Sequence, residues 1–168
     1  MRRREFLAST AALRAAGSNL PRRVYKDGIE LSIIGLGGIV VCGMPQKDAS
    51  RRVAEAIDRG VNYFDCAPTY SDGEAELKLG EALRPYRSKV FLAEKTTRRD
   101  AQGAREELER TLARFHTDHV DLYQFHGIAS VADVEKILAP GGAAETFFAA
   151  RKEGKTRFIG FSVHHAPA

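Results

Sequence analysis

Five side chains in this 168-residue sequence stand where they can do acid–base chemistry. Asp65, Lys95 and His126 each close an apolar run (VNYFD, VFLAEK and VDLYQFH), and Ser162 closes another, FIGFS. Tyr70 follows Asp65 in the loop CAPTY. A phenol ordinarily titrates near about 10, and a neighbouring ammonium favours the phenolate. Lys95 beside Tyr70 therefore makes the phenol a usable acid or base, and Asp65 holds the lysine in place. His126 is suited to hydrogen-bond a substrate oxygen and orient a carbonyl. Acid catalysis at a carbonyl without a nucleophile points to a hydride delivered by a cofactor.

The elements around these residues must bring them together. Apolar runs at Val61 to Asp65, Val90 to Lys95, Val120 to His126 and Phe158 to Ser162 read as strands buried on both faces. Between them, helical periodicity marks Asp48 to Arg59, Gly73 to Leu83 and a helix burying Leu108, Leu112 and Phe115. A further helix places Val131, Val134, Ile137 and Leu138 on one side; Pro140-Gly141-Gly142 breaks it and Ala143 to Glu153 resumes it. Val24 to Ser32, with Asp27-Gly28 in the middle, reads as a hairpin. Strand–helix alternation at near-constant spacing predicts an α/β fold with a parallel sheet, a (β/α)8 TIM-type barrel or an open doubly wound sheet. In a barrel the C-terminal strand ends open onto one face, where Asp65, Lys95, His126 and Ser162 converge. An Asp, a Lys and a His at three successive buried strand ends are costly unless they pair.

Composition narrows the function class. Hydrophobic residues make up 43% and charged residues 29%, which excludes wholesale disorder. The formal charge is +4, yet residues 1–23 hold six arginines against Glu5, leaving the remainder near neutral. No nucleic-acid footprint is expected from such a body, and no apolar run is long enough for a transmembrane helix. The basic segment MRRREFLASTAALRAAG reads as an export leader over residues 1–20, with Arg3-Arg4 in a twin-arginine-like string. Export to the periplasm is the expectation, with a cytoplasmic basic tail as the alternative.

The blocks DRGVNYFDCAPTYSDGEAELKLGEAL, VFLAEKT, LERTLARFHTDHVDLYQFH and GKTRFIGFS resemble those of the aldo/keto reductases over about residues 22–165. The leader and LPRRVYKDGIELSIIGLGG resemble the twin-arginine-signal bacterial subgroup of that family. The resemblance implies a (β/α)8 barrel closed at its bottom by an N-terminal hairpin, and reduction of small-molecule aldehydes and ketones with NADPH, less often NADH. It makes Tyr70 the proton donor, Lys95 the group that depresses its pKa, Asp65 the lysine's partner and His126 the residue that positions the carbonyl. Gly37 and Gly38 match a loop near the nicotinamide and pyrophosphate, and Ser162 a serine on the nicotinamide carboxamide. Val163 stands where the family usually has asparagine.

A complete barrel has eight strands in roughly 250 residues, and this sequence reaches about the fifth βα unit. Open strand edges then predict self-association, and the chain by itself is not expected to form a competent NADPH site. A non-catalytic nucleotide-binding module and an inactive reductase fragment are the alternative readings. Cys42 and Cys66 read as small apolar residues, His116 and His119 belong to the opposite end of the barrel, and no metal site is expected. The charges of Ala104 to Arg114 read as a solvated helix face.

Overall fold

Alternation of apolar residues builds strands and 3.6-residue periodicity builds helices throughout residues 20–164, the part of the chain described by the computed structural model. An antiparallel hairpin comes first, β1 (Arg22–Val24) and β2 (Glu30–Ser32). Its connection turns at Asp27 and Gly28, with φ of 57° and 75°, the left-handed pair that an Asp-Gly turn supplies. There follow β3 (Leu36–Gly37), α1 (Gln46–Asp58), β4 (Tyr63–Asp65), α2 (Glu74–Leu83) and β5 (Phe91–Thr96). The chain continues through α3 (Ala101–Arg114), β6 (Val120–Phe125), α4 (Val131–Leu138), α5 (Ala143–Lys152) and β7 (Thr156–Phe161). The leader read over residues 1–20 lies, apart from Leu20, outside the described residues.

Strands β3 to β7 form one parallel sheet in sequential order. A doubly wound sheet reverses its order at a switch point. This sheet does not, so the choice left open by periodicity falls to barrel-type winding, of which five strands are described. Sequential right-handed crossovers also place every strand's C-terminal end on one rim.

The sheet's two faces are packed differently. On the inner face Tyr63 and Phe158 stack on Phe91, with ring centroids 5.7 and 6.1 Å apart. Tyr25 of the hairpin meets Phe91 and Phe158 edge-on at 5.9 and 5.4 Å, closing the N-terminal end. Asn62 secures that plug by accepting the Ser32 N–H at 2.7 Å and donating to the Glu30 carbonyl at 2.8 Å. On the outer face Phe64 and Leu92 are covered by Leu79, Leu83, Leu108, Leu112 and Phe147. Tyr123 and Phe125 stack on the Phe147 ring at 4.2 and 3.8 Å.

Two expectations about helices are corrected. The segment after Pro140-Gly141-Gly142 does not resume α4, on whose apolar side Ile137 is buried while Val131 and Leu138 are each 65% exposed. It forms α5, a separate helix, whose Phe147 takes the place against the sheet. The charges of α3 are not all solvated either. Arg105 and Glu109 pair at the surface at 3.3 Å, but Glu107 is buried and bonds Thr96 of β5.

Candidate active site

The rim formed by the C-terminal ends of β4, β5 and β6 gathers the predicted polar residues. Asp65 is the last residue of β4 and Lys95 the penultimate residue of β5, on the same inner face. Lys95 is 5% exposed, and its ammonium donates to Asp65 Oδ1, to the Cys66 carbonyl at 2.8 Å and to the Tyr70 hydroxyl at 3.2 Å. A buried ammonium with three oxygen partners meets the condition for burying a charge. Burial alone lowers a lysine's pKa, but the Asp65 hydrogen bond and charge, aided by Tyr70, outweigh it and leave Lys95 above its ordinary value. The side chain is a fixed cation.

Tyr70 is brought over the rim by the segment after β4. Its N–H bonds the Ala67 carbonyl at 3.0 Å, starting the tight turn Tyr70–Gly73. Ser71, Asp72 and Gly73 are all left-handed, with φ of 49°, 52° and 88°. At Gly73 a Cβ would stand 2.1 Å from an Arg114 nitrogen, so glycine here makes room for the guanidinium. Arg114 in turn pairs with the fully buried Glu76, which also accepts from the Thr111 hydroxyl. The loop presenting Tyr70 is thereby seated on α3. The Lys95 ammonium lies 5.1 Å from the Tyr70 ring centroid, besides touching its hydroxyl.

His126 follows β6 directly and stands edge-on to Tyr70, ring centroids 6.0 Å apart at 88°. Burial, then the Lys95 charge and His164, lower its pKa, so the imidazole is neutral at neutral pH. Its Nδ1 is buried and has no partner among the described residues. The His164 ring lies 5.9 Å away, so one of the two histidines after the last strand does reach the rim; His165 lies outside the described residues. Arg99, which the sequence reading passed over, donates to the His126 carbonyl at 2.9 Å and to Gly127 at 3.3 Å, and meets Asp133 at 3.4 Å. Its only signal in the sequence is a basic residue four places past the strand-end lysine.

The remaining assignments divide. Ser162 follows β7 and accepts the Gly127 N–H at 3.0 Å, keeping its own proton free to donate. Around Gly37 a Cβ would meet nothing within 4 Å, so this backbone is open to close approach by a ligand. Gly38 is buried, and a Cβ there would sit 2.7 Å from Cys66 Sγ, so the Cys66 contact alone requires glycine at that position. Cys66 is buried and its thiol is pushed up strongly by burial, which leaves it unreactive. His116 and His119 lie at the opposite end, as expected, beside Arg87 and Asp121.

A sequentially wound parallel sheet with a buried Lys–Asp pair touching a rim tyrosine defines a barrel-type α/β protein with its chemistry at the C-terminal strand ends. The profile of the aldo/keto reductase family matches residues 33–167, and the chain belongs to that family. It is 36% identical over 156 residues to the aldo-keto reductase YhdN of Bacillus subtilis, a match covering 83% of this chain and 45% of that protein. It is 31% identical to the L-galactose dehydrogenase of Arabidopsis thaliana, covering 84% of this chain and 47% of that protein. Among solved structures, aldo-keto reductase AKR11C1 from Bacillus halodurans in its holo form superposes with a TM-score of 0.72 at 29% identity, over 86% of this chain and 51% of that one. The chain thus spans about half the length of these relatives.

Proposed function

We propose that this rim is the acid–base half of a carbonyl-reduction site, in which Tyr70 protonates the oxygen of an aldehyde or ketone. The observation that carries the reading is the Lys95 ammonium, buried and shared between Asp65 and the Tyr70 hydroxyl. A fixed cation at 3.2 Å favours the phenolate left when Tyr70 gives up its proton. Neutral His126 has one N–H to donate, suited to a carbonyl oxygen rather than to an anion. A nicotinamide cofactor, when bound, supplies the hydride. The open backbone at Gly37 and the free Ser162 proton fit such a group, Ser162 as a donor to its carboxamide. NADPH is proposed ahead of NADH on the resemblance alone, and a comparison of the two in one assay decides it.

The test follows nicotinamide oxidation by absorbance with a panel of aldehydes. Turnover that disappears in Tyr70→Phe while nucleotide binding persists supports the reading. Nucleotide binding with no turnover on any aldehyde favours the non-catalytic module instead.

Two further proposals concern the whole chain. The edges β3 and β7 are flanked by exposed Ile33, Ile34 and Ile39 on one side and Phe148 and Phe161 on the other, and we expect self-association through them. Light scattering that gives the mass of a monomer at micromolar concentration rejects this. The leader is proposed to direct export; continued export after changing Arg3 and Arg4 to lysine argues against the twin-arginine route.

A further inference from the structure

Strand β5 carries a second buried ionisable group, back to back with Lys95. Glu94 is fully buried on the outer face, between the sheet and its helices. Two other buried carboxyls, Glu76 and Glu107, lie on the same side, and each has an arginine: Arg114 for Glu76, Arg110 for Glu107 at 3.1 Å. Among the described residues no arginine or lysine side chain is bonded to Glu94. One of its oxygens accepts the Lys95 backbone N–H at 2.9 Å and the other has no partner among those residues. Burial, then the charge of Glu76, raises its pKa well above the carboxylate range.

The backbone explains why a carboxyl is needed there. In the β4–β5 ladder the Phe91 N–H bonds the Asn62 carbonyl at 2.7 Å and the Cys66 N–H bonds the Ala93 carbonyl at 2.9 Å. The next bond of that parallel series runs from the Lys95 N–H to the Cys66 carbonyl. That carbonyl is instead taken by the Lys95 ammonium at 2.8 Å. Two residues on, Pro68 has no N–H to continue the series. The Lys95 N–H would be left buried and orphaned, a costly state, and Glu94 supplies the missing acceptor.

We propose that Glu94 is a positioning residue for Lys95: by accepting the Lys95 backbone N–H where the ladder ends, it releases the Cys66 carbonyl to the ammonium and so holds the ammonium between Asp65 and Tyr70. This rests on the proposed role of Lys95, but its test needs no turnover. Lysine-labelled full chain is titrated by NMR, with Lys95→Met assigning the Lys95 signal. Glu94→Gln keeps a neutral acceptor and is expected to titrate as the unaltered chain does. Glu94→Leu removes the acceptor at similar size and is expected to lower the Lys95 midpoint by about one pH unit, a tenfold change, as the Asp65 contact loosens. A folded Glu94→Leu with an unchanged midpoint overturns the proposal. Should that variant not fold, amide exchange in the unaltered chain decides. The Lys95 amide is expected to be as protected as that of Ala93, and exchange at free-peptide rates overturns the proposal. A failed aldehyde panel with these results intact removes the reductase reading and leaves the positioning role standing.

Discussion

Both ends of the sheet bury an ion pair, and the two pairs are finished differently. At the N-terminal end Asp121 is 4% exposed and takes Arg87 and Arg157, each at 3.1 Å, together with the Leu92 N–H at 2.9 Å. Arg87 spends its other donors on Thr117 and on the carbonyls of Val90 and His119. These groups border a hollow of about 890 Å³. Its central charges are already satisfied, so it is a brace between elements. At the C-terminal end Lys95 has the same depth of burial, but one of its three partners is the hydroxyl of a half-exposed tyrosine. A pair saturated by backbone holds a fold together, whereas a pair that ends on a reachable phenol is poised to act. The last hydrogen-bond partner separates the two.

That contrast can be broken at several points. Tyr70→Phe is expected to reduce turnover by about 10²–10⁴-fold, the usual worth of a general acid, with thermal stability unchanged. An equal loss from Asp121→Ala in a protein still folded would erase the distinction. Asp121→Ala should instead lower unfolding free energy in urea by about 3 kcal/mol, since it leaves the buried Arg87 charge without its carboxylate and the Leu92 N–H without its acceptor.

The pH dependence sharpens the difference further. Lys95 is held above its ordinary pKa by Asp65 after burial is overcome, so the folded state binds this proton more tightly than the unfolded state. The resulting stabilisation is complete below about pH 10.4 and is lost as pH rises through the folded value. Urea midpoints measured from pH 9 upward should fall more steeply in the unaltered chain than in Lys95→Met. The smallest effect is expected at the surface. Arg105 contacts Glu153 through two bonds of 2.7 Å, yet both side chains are substantially exposed. Arg105→Ala should cost about 0.5 kcal/mol in the same urea assay, and less at high salt.

The rim was legible in the sequence because a parallel strand puts its C-terminal residue at the mouth regardless of strand order. Asp65, Lys95 and His126 therefore announced themselves as polar ends of apolar runs, and Tyr70 through the proline-bearing loop after Asp65. Strand order was not legible, since helical and strand periods are the same in both windings. Nor were the buried glutamates. Glu94, Glu76 and Glu107 look like surface charges in a linear reading, and only the helices packed over β5 reveal their environment. Period-two alternation does put Glu94 in line with Leu92 and Thr96, away from Lys95. That alignment was the available signal. The α4 stripe has the spacing of a core helix, but α5 reaches the sheet with Phe147 and leaves Val131 and Leu138 exposed.

The hairpin plug also bears on the order of events in folding. Tyr25 lies near the start of the described chain, yet one of its two ring contacts is with Phe158 in the last strand. More than a hundred residues must be placed before that contact exists, a long loop to close and a slow one. The Tyr25–Phe158 contact therefore closes only once β7 has joined the sheet, whereas the Asn62 bonds and the Phe91 contact need nothing beyond β5. Exchange protection at the hairpin would then rise in two stages, the second marking completion of the winding from β3 to β7.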